Sequence, residues 1–465
     1  MNILLTAIWV VSLTITVAWY FTQIHKGRLL TLQSFIVLQF FFLPILIQYP
    51  FATMPENITT IGETGYQLTL RGFDTAFLVT IWGMAWFSLP FLLHANSPTV
   101  QRIAAWTADT LATGASTKIL LFLLAIGVGS STIIFHEDPT ASFTSGGLRG
   151  AAILHHYLNP PLMILVTIIP MIAALSLFRA ITSNTLTTRV IMVTVFFIAS
   201  GVGLLTGTRT TALLGLFMVV SAIIIAKSHA RTIRRPWLAM VSLIIPAMVF
   251  LVFIFSIASM RNGTSFIASI LGVFGDGHNS LYFHMFYGNT FSDLRDFGRI
   301  IGGWNGHYLF GKTLLSGALA FMPHIVFPEK MHWTWGAVTS PMAGIYTPNF
   351  PGLRPSIFGE WYMNFSLPGV AIEAFALGVV TRSLDVYLKR AAVALKASPP
   401  YLSWSHYLFK TLTAIILVEM SINACLSAGA VQIYLFIALL ILFKVLQKKG
   451  SINPCYKGTV QSCCE

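Results

Sequence analysis

Charge is scarce in this chain. Only 9% of its 465 residues are Asp, Glu, Lys or Arg, against roughly 25% in a soluble globular domain. That deficit excludes an ordinary water-soluble fold, because so much apolar surface needs a partner other than water. Acidic residues are the scarcer sign, 15 against 28 Lys plus Arg. No D-x-D pair occurs in the loops assigned below to the outer side, and the chain has no P-loop and no G-x-S-x-G element. Cysteine is also sparse: Cys425, Cys455, Cys463 and Cys464. Three of these lie in a polar C-terminal tail, and their spacing suits neither a zinc site nor a disulfide framework. Asp276 and His278 in GDGHN are two potential metal ligands, too few for a site and in a pattern that suits a turn. Neither a metal nor a cofactor is therefore expected.

What the chain has instead is apolar length. Hydrophobic residues make up 55% of it, and runs near the 20 or so residues that cross a bilayer recur from end to end. They fall at roughly 3–24, 31–50, 74–95, 117–136, 161–181, 187–207, 209–227, 237–258, 366–387, 404–424 and 427–447. The sequence thus predicts an all-α, polytopic membrane protein of about eleven transmembrane helices. The first run lacks a basic flank and a small-residue cleavage site, so it reads as a span. The net charge of +13 invites a nucleic-acid reading, but most basic residues lie in short loops on one side of the membrane, Arg231, Arg234 and Arg235 among them. That is the positive-inside pattern. It places the N-terminus outside and the C-terminus inside and excludes nucleic acid as the partner. Contact of this cluster with anionic lipid is the second reading.

The domain organisation follows: an N-terminal membrane bundle of about eight spans over 1–258, a large outer loop over 259–365, C-terminal spans over 366–447 and a cytoplasmic tail over 448–465. A loop of that size without structure would be anomalous, so it is expected to form a helical cap. Its stretch 313–327 is apolar but too short to span, which suits an interfacial or re-entrant segment.

Ionisable residues near lipid are costly and so mark candidate sites. Arg209 opens a span in GTRTTALLG, Arg261 follows one in SMRNG, and Arg149, Lys312, Lys330, Arg354 and Glu360 lie in outer loops. Glu373 and Glu419 fall in the outer parts of their spans. Clustered arginines suit a phosphate-bearing headgroup, because the guanidinium fork binds phosphate bidentately and keeps its charge. Each has a plainer alternative: Arg209 and Arg261 as snorkelling helix ends, Arg354 as the brace of a Pro/Gly turn, the two span glutamates as interhelical pairs. The HWTWG stretch with Trp335 fits sugar stacking and an interfacial belt equally.

Three features together resemble the Wzy-type polymerases of O-antigen and related repeat-unit polysaccharides, with the O-antigen ligases as more distant relatives. GTRTTALLG opens a span, and Arg209 to Leu213 has an R-x3-L form. The large outer loop follows it, and Arg261 to Gly272 has an R-x10-G spacing, a loose motif that also occurs from Arg295 to Gly306. FMPHIVFPEK followed by GLRPSIFGEWYMNFSLPG resembles the close of that family's large loop. The likeness covers mainly residues 195–385. It implies a GT-C-like enzyme of the bacterial cytoplasmic membrane with its active site facing the periplasm. A growing glycan would pass from undecaprenyl pyrophosphate to the free end of a second lipid-linked repeat unit. It further implies a flippase and a chain-length regulator as companions. On this reading Arg209, Arg354 and Glu360 are catalytic, Glu360 as the proton acceptor, and Arg209, Arg261, Arg149, Lys312, His278, Trp335 and Tyr362 contact pyrophosphate or sugar. The rival readings are a ligase that transfers the glycan to lipid A-core and, from another class, a lipid-linked oligosaccharide flippase.

Overall fold

The computed structural model describes residues 3–137, 168–205, 209–230, 266–275, 280–288, 291–320, 325–346, 352–396 and 400–450, with a few isolated positions between them. These residues form helices and connecting turns, with no strand among them. Among the described residues six helices are long and apolar enough to cross a membrane: Ile3–His25, Pro55–Leu92, Leu186–Gly203, Leu213–Ala230, Ser356–Leu395 and Trp404–Ala424. The stretches Leu32–Ile47, Ile169–Thr182 and Ala430–Leu446 are apolar helices of shorter length. The chain is therefore an all-helical protein with the composition of a polytopic membrane protein. The expected span 237–258 lies almost wholly outside the described residues.

α1 (Ile3–His25) is exposed along most of its length, with only Leu5 and Ile24 buried. It is tied to the bundle by Trp9, which stacks on Tyr49 at 5.4 Å and donates Nε1–H to the Leu46 carbonyl at 2.7 Å. α2 (Leu32–Ile36) starts at a Thr31–Ser34 capping box, which satisfies two otherwise unpaired donors. It runs directly into a π-helical stretch, Val37–Ile47, that contains Pro44. Proline has no N–H for the helical ladder, and such wide turns are a known accommodation.

α3 (Ile58–Leu92) has 35 residues, about 52 Å at 1.5 Å per residue, well beyond a hydrocarbon core of about 30 Å. The sequence reading placed residues 51–73 in an outer loop. The structure instead carries the helix up to Ile58, with a break at Gly62, where φ is 71°. The cause is packing that local pattern does not show. Gly72 lies against the backbone of Gly298 and Ile301, so closely that a Cβ there has no room. The partner is α11, defined below, and backbone contact of this kind is what small residues allow between helices.

α4 (Pro98–Gly114) corrects a second expected loop. It is capped by the Ser97 hydroxyl and bends by 90° into α5 (Thr117–Glu137). α6 (Ile169–Thr182), α7 (Leu186–Leu205) and α8 (Arg209–Ala230) form a packed group. Short helices follow in the large loop: α9 (Phe266–Val273), α10 (Leu281–Phe286), α11 (Asp293–Gly302), α12 (Lys312–Ala318) and α13 (Trp335–Met342). The stretch 313–327 begins in α12 and does not form a spanning helix, and Ile325 within it is 94% exposed.

α14 (Ser356–Lys396) has 41 residues and breaks at Ser366, where φ is 61°. The break leaves carbonyls without helical partners, and a preceding segment supplies donors. Leu309 N–H donates to Met363 O at 2.9 Å, and Phe310 N–H to Asn364 O at 3.2 Å. Tyr308 adds a hydroxyl bond to Ser366 Oγ at 3.0 Å. α15 (Pro400–Ala424) and α16 (Ala430–Gly450) form a hairpin through a tight turn, Ser427–Gly429. Far along α14, Asp385 receives His229 Nε2 of α8 at 2.9 Å and Lys389 Nζ at 2.6 Å, which pins α8 to α14.

Candidate functional site

The expected site residues divide into three groups. Arg149, Arg261 and His278 lie outside the described residues. Arg209 is the first residue of α8, the helix start that the sequence predicted, and the description there stops at the backbone. The remaining residues lie on α12, on α13 and on the first segment of α14 with the turn before it.

Glu360 does not hang over a lipid surface. It is 1% exposed, on the segment of α14 that precedes the Ser366 break, and its Oε2 accepts the Ser427 N–H at 3.0 Å. The carboxylate thus caps the turn between α15 and α16. Its Oε1 has no hydrogen-bond partner among the described residues. One turn on, Asn364 donates Nδ2–H to Thr313 Oγ1 at 2.8 Å and to the Glu360 carbonyl at 2.8 Å. Its own Oδ1 accepts Gly311 N–H at 2.8 Å. Asn364 therefore locks α12 to α14 beside the carboxylate. Glu373 is buried as well, and the Cys425 thiol is its hydrogen-bonding neighbour. A cavity of about 310 Å³ opens next to this turn, lined largely by apolar groups, including Leu314, Trp361, Leu426, Ile433 and Tyr434.

Arg354 is exposed, with 54% of its side chain accessible, and its Nη1 lies 3.6 Å from Asp293 Oδ1 at the start of α11. Burial pushes the Asp293 carboxyl up from the ordinary range, and the Arg354 charge opposes that shift. Lys312 is exposed, with its ammonium 5.9 Å from the Trp333 ring centre. Trp335 departs from both sequence readings. It is 6% exposed and donates Nε1–H to Leu353 O at 2.7 Å, so it belongs to a small core with Ile300, Ala343 and Met363. A buried indole is neither a sugar platform nor a belt residue. Tyr362 is half-buried, 5.7 Å from Trp304, and Trp304 meets the exposed Tyr308 at 5.2 Å. Partly exposed aromatic surface lies here, and at Trp333 within HWTWG.

The sequence reading missed the two arginines of α11. Arg295 is 3% exposed and donates Nη1–H to Asn57 Oδ1 at 3.2 Å and to Tyr287 O at 2.7 Å. It also lies 3.4 Å from Asp296, whose Oδ2 accepts the Ser292 hydroxyl at 2.7 Å. Arg299, one turn on, is 8% exposed and donates Nε–H to Ala343 O at 2.7 Å. A signal was present: DLRDFGRIIG places Leu294, Phe297 and Ile301 at helical spacing, which marks an amphipathic helix. Among the described residues no group of three His, Cys, Asp or Glu side chains is arranged to hold a metal. No family model matches the chain, and neither a curated protein nor a solved structure matches it.

Proposed function

We propose that the protein is a polyprenyl-pyrophosphate-linked glycan polymerase with about eleven spans, its N-terminus outside, its C-terminus inside and residues 259–365 forming an outer cap. The reaction transfers a growing glycan from the carrier pyrophosphate to an alcohol of a second lipid-linked repeat unit. The leaving pyrophosphate gains charge, which fixed cations stabilise, and the acceptor hydroxyl loses a proton to a base. The observation that carries this reading is the gathering of ionisable side chains where the ends of α3 and α14 meet α11. Arg295, Asp296, Arg299 and the Asp293–Arg354 pair lie there, and Glu360 is buried on the same first segment of α14, against the α15–α16 turn. Buried charge near a membrane is expensive and is kept where it is used.

The test is glycan length in cells from which the gene is removed. A polymerase leaves lipid A-core bearing a single repeat. Bare core with polymer still on the carrier would mean a ligase. The orientation is tested at Asn305, in the exposed turn after α11: Asn305→Cys in otherwise cysteine-free protein is to be labelled by a membrane-impermeant thiol reagent on intact spheroplasts, and protection there defeats it.

One observation favours a transporter as the second reading. α14 is broken at Ser366 within an apolar helix, and discontinuous helices are a feature of secondary transporters. A transporter would leave single repeat units on the inner leaflet, where a polymerase defect leaves them outside.

A further inference from the structure

The two arginines of α11 are used differently. Arg295 is spent on protein partners: an amide oxygen, a carbonyl and a neighbouring carboxylate. Arg299 is held by its Nε alone, through the Ala343 carbonyl. Among the described residues its Nη1 and Nη2 have no hydrogen-bond or ion-pair partner, although the residue is only 8% exposed. Burial pulls its charge down from the ordinary arginine range, and the more distant Asp296 carboxylate offsets this only in part. The two Nη nitrogens thus face open space at the edge of a largely buried residue, where an anion can reach them.

The chain has also made room for that fork. The guanidinium lies against Gly65 of α3, and a Cβ there would sit 2.7 Å from Cζ and 3.0 Å from Nη1. Any residue but glycine at position 65 would displace it. The place suits a membrane-surface ligand: Gly65 is nine residues before the apolar run that opens near position 74, about 13 Å along the helix.

We propose that Arg299 is an oxyanion-binding residue and that the geometry of its free edge selects a phosphate group, bound bidentately through Nη1 and Nη2. Identification of that phosphate with the pyrophosphate of a lipid carrier rests on the polymerase reading above. A planar fork oriented at Nε by a backbone carbonyl presents its two remaining donors as a pair to two oxygens of one anion. Lysine at 299 would keep a charge and lose the pair.

The test uses the full chain in lipid nanodiscs, with inorganic pyrophosphate, inorganic phosphate and glucuronate titrated separately by calorimetry. Wild-type protein is expected to bind pyrophosphate. Arg299→Gln should weaken that binding by tenfold to a hundredfold, as follows from losing a charge-assisted bond of about 1.5–3 kcal/mol at about 1.4 kcal/mol per decade. Arg299→Lys should lie in between. Gly65→Ala retains the arginine and should weaken binding by displacing it, which keeps the proposal testable if Arg299→Gln does not fold. Equal pyrophosphate affinity in wild type, Arg299→Lys and Gly65→Ala overturns it, as does binding of glucuronate alone, which would make the ligand a sugar carboxylate. Weakened pyrophosphate binding in Arg299→Gln with an unchanged polymer ladder in cells would leave the anion site standing and remove its identification with the carrier pyrophosphate.

Discussion

Glu360 serves two roles that one pair of substitutions separates. Its Oε2 holds the Ser427 N–H, and its Oε1 has no partner among the described residues. Glu360→Gln keeps an acceptor oxygen for Ser427 and removes the base. The cap survives, the buried charge disappears, and folded yield should equal or exceed that of the wild type. Glu360→Ala removes the acceptor and leaves a buried N–H unsatisfied, which costs about 1–3 kcal/mol, and the vacated volume adds to this. If Glu360 takes the acceptor proton, both variants lose about 100- to 10,000-fold in rate, the ordinary worth of general base catalysis. The assay pairs chain-length distribution with thermal unfolding of the purified protein. Expected are a stable, single-repeat Glu360→Gln and a destabilised, single-repeat Glu360→Ala. A Glu360→Gln variant that builds a normal ladder, beside an unstable Glu360→Ala, would refute catalysis and leave Glu360 as a cap for the α15–α16 turn.

Arg209→Ala is expected to reduce polymer length sharply, by a tenfold to hundredfold loss of rate for about 1.5–3 kcal/mol, with normal membrane levels by immunoblot; Arg209→Lys should be partly active for want of the fork, and a normal ladder in Arg209→Ala would make the residue a snorkelling anchor. Gly72→Val places a branched side chain against the α11 backbone at Gly298 and Ile301, so overpacking should cost about 1–3 kcal/mol or more, read as lost folded yield by size-exclusion chromatography; unchanged yield would contradict the close approach. Asp293→Asn tests a pH dependence. Burial raises the carboxyl in the folded state, so the folded state binds its proton more tightly than the unfolded state. That contribution is favourable below the ordinary carboxylate value and is lost as pH rises through the raised one. The stability advantage of Asp293→Asn over wild type should therefore grow from pH 4 to pH 8 in thermal melts, and a constant difference would show that Arg354 cancels the burial effect.

The apolar skeleton was legible in the sequence because lipid imposes one rule on every span. The helices near residues 3–25, 186–205, 209–230 and 400–424 lie where apolar length predicted them. What was not legible depends on partners distant in the chain. Residues 58–73 contain Gly62, Gly65 and Gly72 and read as a loop, yet α11, more than 200 residues later, supports them as helix by packing on Gly65 and Gly72. Glu360 was visible as a lone acid before a span, but its burial depends on Ser427, 67 positions away. Trp335 had the composition of a surface aromatic and became core because Leu353 accepts its N–H and Ile300 covers it. Arg295 and Arg299 lie in a short amphipathic helix, and their burial is visible only once that helix packs on α3.

The carboxylate of Glu360 and the Ser427 N–H meet across three helices that leave the ribosome in order: α14 first, then α15, then the turn into α16. Until that last turn is inserted, Glu360 stands in the bundle with no acceptor role fulfilled, and the Trp361 indole lacks the Cys425 carbonyl it donates to at 2.8 Å. The centre of the molecule is thus completed by almost the last helix to be made. A chain cut short before residue 425 would carry every candidate site residue and still leave an unpaired acid within apolar surroundings. Such a product exposes its own incompleteness to membrane proteases, so premature termination should yield rapid degradation rather than a half-active enzyme.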